Sequence, residues 1–234
     1  MQRLDKIISS QFNISRSIAR TDIRKGKVSV NQNIVRDPAL QFNPDENEIS
    51  YNGQTLSYKK FIYIIMNKPK GVICASTDKS RETVVDLVAP QLKRNNLFPV
   101  GRLDKDTTGL LLITDDGDFA HRIISPKKNI LKTYIAELDG EVTDEMTEIF
   151  AKGVVLADGA VCKSALLEKL DKTHAKIKIP EGKYHQIKRM FGTVGLGVNE
   201  LHRTALGGLV LPENLHVGES RELNMNELNA IFVN

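Results

Sequence analysis

Apolar and polar positions alternate along this chain with two different periods. Near the N-terminus the spacing is helical. Residues 3–10 and 16–25 read as two short helices, with Ser15 as N-cap of the second and Gly26 just past its end. The period then drops to two: Lys27-Val28-Ser29-Val30 reads as a strand, Asn31-Gln32-Asn33 as a turn and Ile34-Val35 as the returning strand. The polar stretch NGQTLSYKK at 52–60 reads as a linker. Phe61–Met66 is an apolar run of buried-strand length, ended by Asn67-Lys68-Pro69-Lys70-Gly71. Strand-like runs at Leu110–Ile113, Tyr134–Leu138, Ala165–Leu170 and Ala175–Ile179 then mix with helix-like ones at Thr143–Lys152 and His185–Val194. In the last of these, Ile187, Met190, Phe191 and Val194 fall on one face, with His185, Lys188 and Arg189 on the other. The pattern predicts an α+β chain: a small domain of helices plus a hairpin at 1–58, and a larger body at 61–234.

Composition narrows the class. With 234 residues, 41% hydrophobic and 26% charged, the chain is an ordinary folded protein. Its N-terminus lacks the apolar stretch of a secretory signal, and no window approaches the roughly 20 apolar residues of a membrane span. Cys74 and Cys162 stand far apart, which excludes a disulfide framework and a cysteine-based zinc site and fits a reducing cytoplasm. The net charge of +4 is unevenly spread: residues 1–36 carry eight Lys or Arg against two Asp. A basic lobe on a near-neutral body suits a polyanion, although charge alone is equally compatible with a solvated face.

The candidate chemistry centres on GRLDKDTTGLLLITDDG at 101–117, which sets Asp104 in a turn at the lip of a strand. Asp104-Lys105-Asp106-Thr107-Thr108 fits the DxDxT pattern of aspartate-nucleophile phosphatases, but no hydrophobic strand directly precedes it. It also partly fits a calcium loop, except that Asp115 replaces the bidentate Glu and Leu110–Ile113 reads as strand where a helix is needed. Asp115, Asp116 and Asp118 read as turn caps.

Two resemblances account for the chain more fully. The segment RLDKIIS…SRSIARTDIRKGKVSVNQNIV is similar to the S4 RNA-binding domain. That likeness implies that Arg3, Lys6, Arg16, Arg20, Arg24, Lys25 and Lys27 hold phosphates, giving affinity with little base specificity. GRLDKDTTGLLLITDDG, Lys132-Thr133-Tyr134 and EGKYHQIKRMF at 181–191 resemble, in order, three motifs of the RsuA branch of the pseudouridine synthases. The resemblance implies that Asp104 is the catalytic aspartate and that Arg102 helps hold RNA with the target uridine flipped out. It further implies that Tyr134 stacks on the uracil, Lys188 ion-pairs with Asp104 and Ile187 packs near the base. Arg189 is expected to contact phosphate or remain a solvated charge, and His185 to be a structural histidine or an RNA contact. Asn67–Gly71 matches a further family signature, expected to be a turn beside the cleft. The implied enzyme acts on rRNA, most closely that of the small subunit, free or in an assembly particle. It is expected to be monomeric, cytoplasmic and independent of membranes, cofactors and metals. A non-catalytic S4-type RNA-binding or ribosome-assembly protein is the rival from a different class.

Overall fold

A computed structural model describes Met1–Val233 and divides the chain into two compact units. The first comprises Met1–Ile62 together with Pro90–Leu97; the second comprises Tyr63–Ala89 and the chain from Phe98 onward.

In the first unit, β1 (Gln2–Arg3) leads into α1 (Leu4–Gln11) and α2 (Arg16–Arg24). Ser15 caps α2 as expected, its hydroxyl accepting from the Ile18 N–H at 3.2 Å, and Gly26 follows with φ +76°. Strands β2 (Val28–Val30) and β3 (Asn33–Ile34) form the expected hairpin, turned by Asn31 and Gln32 at positive φ. Beyond β4 (Gln41–Phe42), β5 (Ile49–Tyr51) and β6 (Gln54–Thr55) complete a sheet ordered β3-β2-β5-β6. The stretch expected to be a linker therefore starts as the return strand of a hairpin, because Asn52-Gly53 supplies the turn. Leu4, Ile7, Ile8, Ala19, Ile23, Val28, Val30 and Ile49 pack as the core. Pro90–Leu97 joins this unit through side chains: Asn95 Nδ2 donates to the Ser9 and Ile14 carbonyls, and Arg94 donates to those of Ser10 and Lys59.

The second unit is built on one mixed sheet. Its elements are β7 (Tyr63–Lys68), β8 (Phe98–Pro99), β9 (Thr108–Thr114), α3 (Gly117–Ile124), β10 (Lys132–Leu138), α4 (Asp144–Lys152), β11 (Leu166–Lys169), β12 (His174–Ile179), α5 (Gln186–Gly192), β13 (Val198–Leu206), β14 (Leu209–Val210), β15 (Ser220–Glu222) and α6 (Met225–Ala230). The path runs β11-β12-β10-β13-β9-β7-β15, with β8 on β9 and β14 on β13. Every pairing is antiparallel except β13 with β9. Leu110 and Leu112 of β9 pack into a core with Phe119 and Ile123 from α3, Leu228 from α6 and Ile231 just after it. Leu111 and Ile113 are just as buried, so the strand is covered on both faces and reads as an unbroken apolar run. Asp116 caps α3, accepting from the Phe119 N–H at 3.1 Å, where a capped turn was expected.

Candidate active site

The segment from Gly101 to Thr108 is held almost entirely by its backbone. Gly101 takes φ +75°, Leu103 is buried, and the Leu103 N–H donates to Cys74 Sγ at 3.3 Å. The Thr107 N–H closes a turn onto the Asp104 carbonyl at 3.1 Å. Beyond it, β9 runs parallel to β13, and a Cβ at Gly109 would collide with the Arg203 carbonyl. Only glycine lets the strand leave the turn at that approach.

Beneath this turn sits Lys68, fully buried at the end of β7. Its ammonium donates to the carbonyls of Pro69, Lys105 and Thr107, each at 3.0 Å. A buried ammonium is costly unless each of its donors is satisfied, and here all three are. Burial lowers its pKa, while Cys74, Asp106 and Asp104 act in the opposite sense. The Gly71 N–H adds a second bond to the Lys105 carbonyl at 2.9 Å. The signature Asn67–Gly71 is thus the clamp of the aspartate loop as well as a turn. Its sequence clue is a lysine followed by proline at the end of an apolar strand, a place where a lysine is either solvated or fully bonded.

Asp104 lies where two cavities meet. A small one, about 70 Å³, is lined by Arg102, Asp104, Tyr134, Ile187 and Lys188 among others. The other is a cleft of about 940 Å³ that reaches Arg81, Arg102, Lys105, Tyr184 and His185. Of the six residues expected at the site, Asp104, Tyr134, Arg102, Ile187 and Lys188 therefore line one cavity. Tyr134 is buried at a bulge in the β10–β13 pairing, Ile187 is buried on α5, and Arg102 is exposed.

Two expected contacts differ. The basic side chain beside Asp104 is His185, whose Nε2 lies 3.6 Å from Oδ1. Lys188, one turn further along, forms no ion pair with Asp104 among the described residues. The physical reason is the backbone at His185, which adopts φ +48° just before α5 and directs its imidazole into the site. The sixth residue, Arg189, lines neither cavity; its Nη2 pairs with Asp158 at 2.6 Å. Lys132, of the Lys-x-Tyr motif, donates to the Ile130 carbonyl at 2.8 Å, and burial together with Arg203 pushes its pKa down to about 8.

In the first unit the basic residues fall into two groups. Arg3, Arg16 and Arg20 converge on the buried carboxylate of Asp5 at 3.0, 2.8 and 2.8 Å, and each stays about half exposed. Lys27 pairs with Asp22 at 2.8 Å, a carboxylate that also accepts from the Tyr51 hydroxyl. Lys6, Arg24 and Lys25 are exposed.

Comparison with known proteins gives the family. The sequence profile of RNA pseudouridylate synthases matches residues 62–193, and that of the S4 domain matches residues 2–47. The chain belongs to the RNA pseudouridylate synthase family and carries an N-terminal S4 domain. It is 42% identical over 231 residues to ribosomal small subunit pseudouridine synthase A of Escherichia coli strain K12, covering 98% of this chain and 99% of that one. A Bacillus subtilis strain 168 relative, described as an uncharacterized RNA pseudouridine synthase, is 39% identical with 98% of both chains covered. A crystal structure of a pseudouridylate synthase superimposes with TM-score 0.70 at 37% identity, covering 99% of this chain and 100% of that one. The phosphatase and calcium readings of the Asp104 segment lapse with this assignment.

Proposed function

We propose that this protein converts a uridine of small-subunit rRNA to pseudouridine, with Asp104 as the nucleophile. The observation that carries the reading is the meeting of Asp104, Tyr134, Ile187, Lys188 and Arg102 around one cavity that shares Asp104 with an open cleft. The near full-length likeness to the E. coli enzyme supports the small-subunit substrate.

A base inside a stacked helix cannot reach this cavity, so the uridine must swing out, with Arg102 at the mouth of the cavity to hold the RNA. Tyr134 offers a ring face to the uracil, and Ile187 closes the apolar side. The Asp104 carboxylate attacks the anomeric carbon or the uracil ring. By either route the N1–C1′ bond breaks, the base turns, C5 bonds to C1′, the bond to Asp104 breaks to return the carboxylate, C5 loses its proton to solvent and N1 gains one. The balance is an isomerisation with no redox change and no imported group, so no cofactor is required. Lys188 supplies positive charge to the cavity, and Arg189, once released from Asp158, supplies it to phosphate. The S4 module at about 1–58 adds phosphate contacts through Lys6, Arg24 and Lys25 and the exposed parts of Arg3, Arg16, Arg20 and Lys27, with the catalytic body at about 61–234. In this reading the protein acts as a monomer on rRNA, free or in an assembly particle. Two unpaired cysteines fit the reducing cytoplasm.

The test is tritium release from C5-labelled small-subunit rRNA. Release by the native chain and none by Asp104→Asn is expected. No release from free or protein-bound small-subunit rRNA would sink the substrate assignment, and release by Asp104→Asn would sink the nucleophile.

A further inference from the structure

Tyr184 is the one exposed tyrosine among the five in the chain. A single exposed aromatic needs no explanation by itself. Three features set this one apart. It lines the large cleft beside Asp104, and 69% of its surface is open. Its ring stacks on the His185 imidazole, with centroids 3.8 Å apart and planes inclined by 19°. His185 in turn touches Asp104, so the tyrosine ring lies one stacked layer from the nucleophile.

The loop that carries this pair is rigidly mounted. Gln186 Oε1 accepts from the Lys183 N–H at 2.9 Å, while the Gln186 N–H donates back to the Lys183 carbonyl at 3.2 Å. The buried Glu181 ties both side chains down, accepting from Gln186 Nε2 at 3.1 Å and Lys183 Nζ at 2.9 Å. Arg189 Nη1 donates to the Tyr184 carbonyl at 3.4 Å. Such a mount holds an aromatic plane in place before any ligand arrives, and it avoids the ordering cost that a free side chain would bring.

A flipped nucleotide leaves its former neighbour with one face unstacked, and an aromatic ring can restore that contact irrespective of base identity. Resting on the reading of Asp104 as nucleophile on a flipped uridine, we propose that Tyr184, backed by His185, is the stacking platform for the nucleobase adjoining the target. Tyr184 acts on binding and register; it takes no part in bond making.

The test uses the full chain and a small-subunit rRNA fragment with 2-aminopurine placed on either side of the target uridine. Binding is measured in an Asp104→Asn background, so fluorescence is read without turnover, and tritium release is measured in the native background. Tyr184→Ala is expected to raise Kd and KM about tenfold with little change in kcat, and to lose the quenching of 2-aminopurine on one side of the target. Tyr184→Phe and Tyr184→Trp should restore both. Unchanged KM and fluorescence in Tyr184→Ala would overturn the proposal. So would a fall in kcat alone, or a failure of Tyr184→Phe to rescue, since either would mean the hydroxyl or His185 is what matters. If the native chain released no tritium, the proposed function would fail while the fluorescence still reported on Tyr184. A melting comparison guards against misfolding, which the exposure of this side chain makes an improbable cost.

Discussion

The Lys68 ammonium lies 3.0 Å from the carbonyl oxygen of Lys105, the residue immediately after Asp104. The same cation holds the Thr107 carbonyl, so it fixes the loop at two points just after Asp104. The position of the Asp104 loop is thereby set by a side chain that is itself fully buried.

Replacing Lys68 with Met keeps the shape but removes a donor from three carbonyls, of which that of Lys105 keeps another, the Gly71 N–H. A loss of about 2 kcal/mol in stability is expected, with a larger fall in kcat than in RNA affinity. Thermal melting and single-turnover tritium release measure the two. An unchanged kcat in a stably folded variant would remove Lys68 from the positioning role.

Asp104→Asn should abolish turnover while RNA affinity stays within a few-fold, because phosphate contacts set most of the affinity. Anisotropy titration beside the tritium assay checks this. Affinity that fell together with activity would count against a catalytic role.

Asp5 is the hub of the first unit. Burial opposes its ionisation, but hydrogen bonds from Arg3, Arg16 and Arg20 hold the carboxyl well below its usual 3.8. The folded pKa is depressed, so its contribution is fully present above about pH 4 and is lost as pH falls from there toward the folded value. Asp5→Asn should cost about 3 kcal/mol at neutral pH, as expected for removing one partner of a buried ionic cluster. It should also flatten the acid limb of the stability curve. Equal acid sensitivity in the native and Asn forms would show that other carboxyls govern that limb.

Arg189 is paired with the exposed Asp158, a contact worth well under 1 kcal/mol. If the guanidinium transfers to phosphate on binding, Asp158→Ala should tighten RNA binding by up to about threefold, since that weak contact no longer competes. Arg189→Ala should reduce the salt slope of binding by about one. Salt-dependent titrations that showed no change for either variant would leave Arg189 as a surface charge.

Much of the site was legible in the sequence because its parts are local. Gly101–Gly117 contains both the turn and the strand that anchors it, and the Ile187, Met190, Phe191 stripe is written in one helix. The contacts that escaped are distant or conformational. His185 reaches Asp104 across 81 positions through a positive-φ backbone that histidine rarely adopts. Strand β13 was missed because VNELHRTAL mixes charged with apolar residues. One of the charged residues, Arg203, is buried and donates to the Leu110 carbonyl at 2.6 Å, which no periodicity announces. Helix α3 was read as a turn, since its cap Asp116 stands within the acidic run DDGD.

The excursion Pro90–Leu97 gives the S4-bearing unit a second, separate stretch of chain. The polypeptide therefore passes between the units three times, at 62–63, 89–90 and 97–98. A gene cut after residue 58 would not yield two clean modules. The catalytic fragment would keep an orphan strap whose Asn95 and Arg94 had lost the carbonyls of Ser9, Ser10 and Ile14. The amino-terminal fragment would in turn lack its fastening. Shuffling this RNA-binding module onto another enzyme would require grafting two segments of chain, so the pair is inherited most simply as a unit.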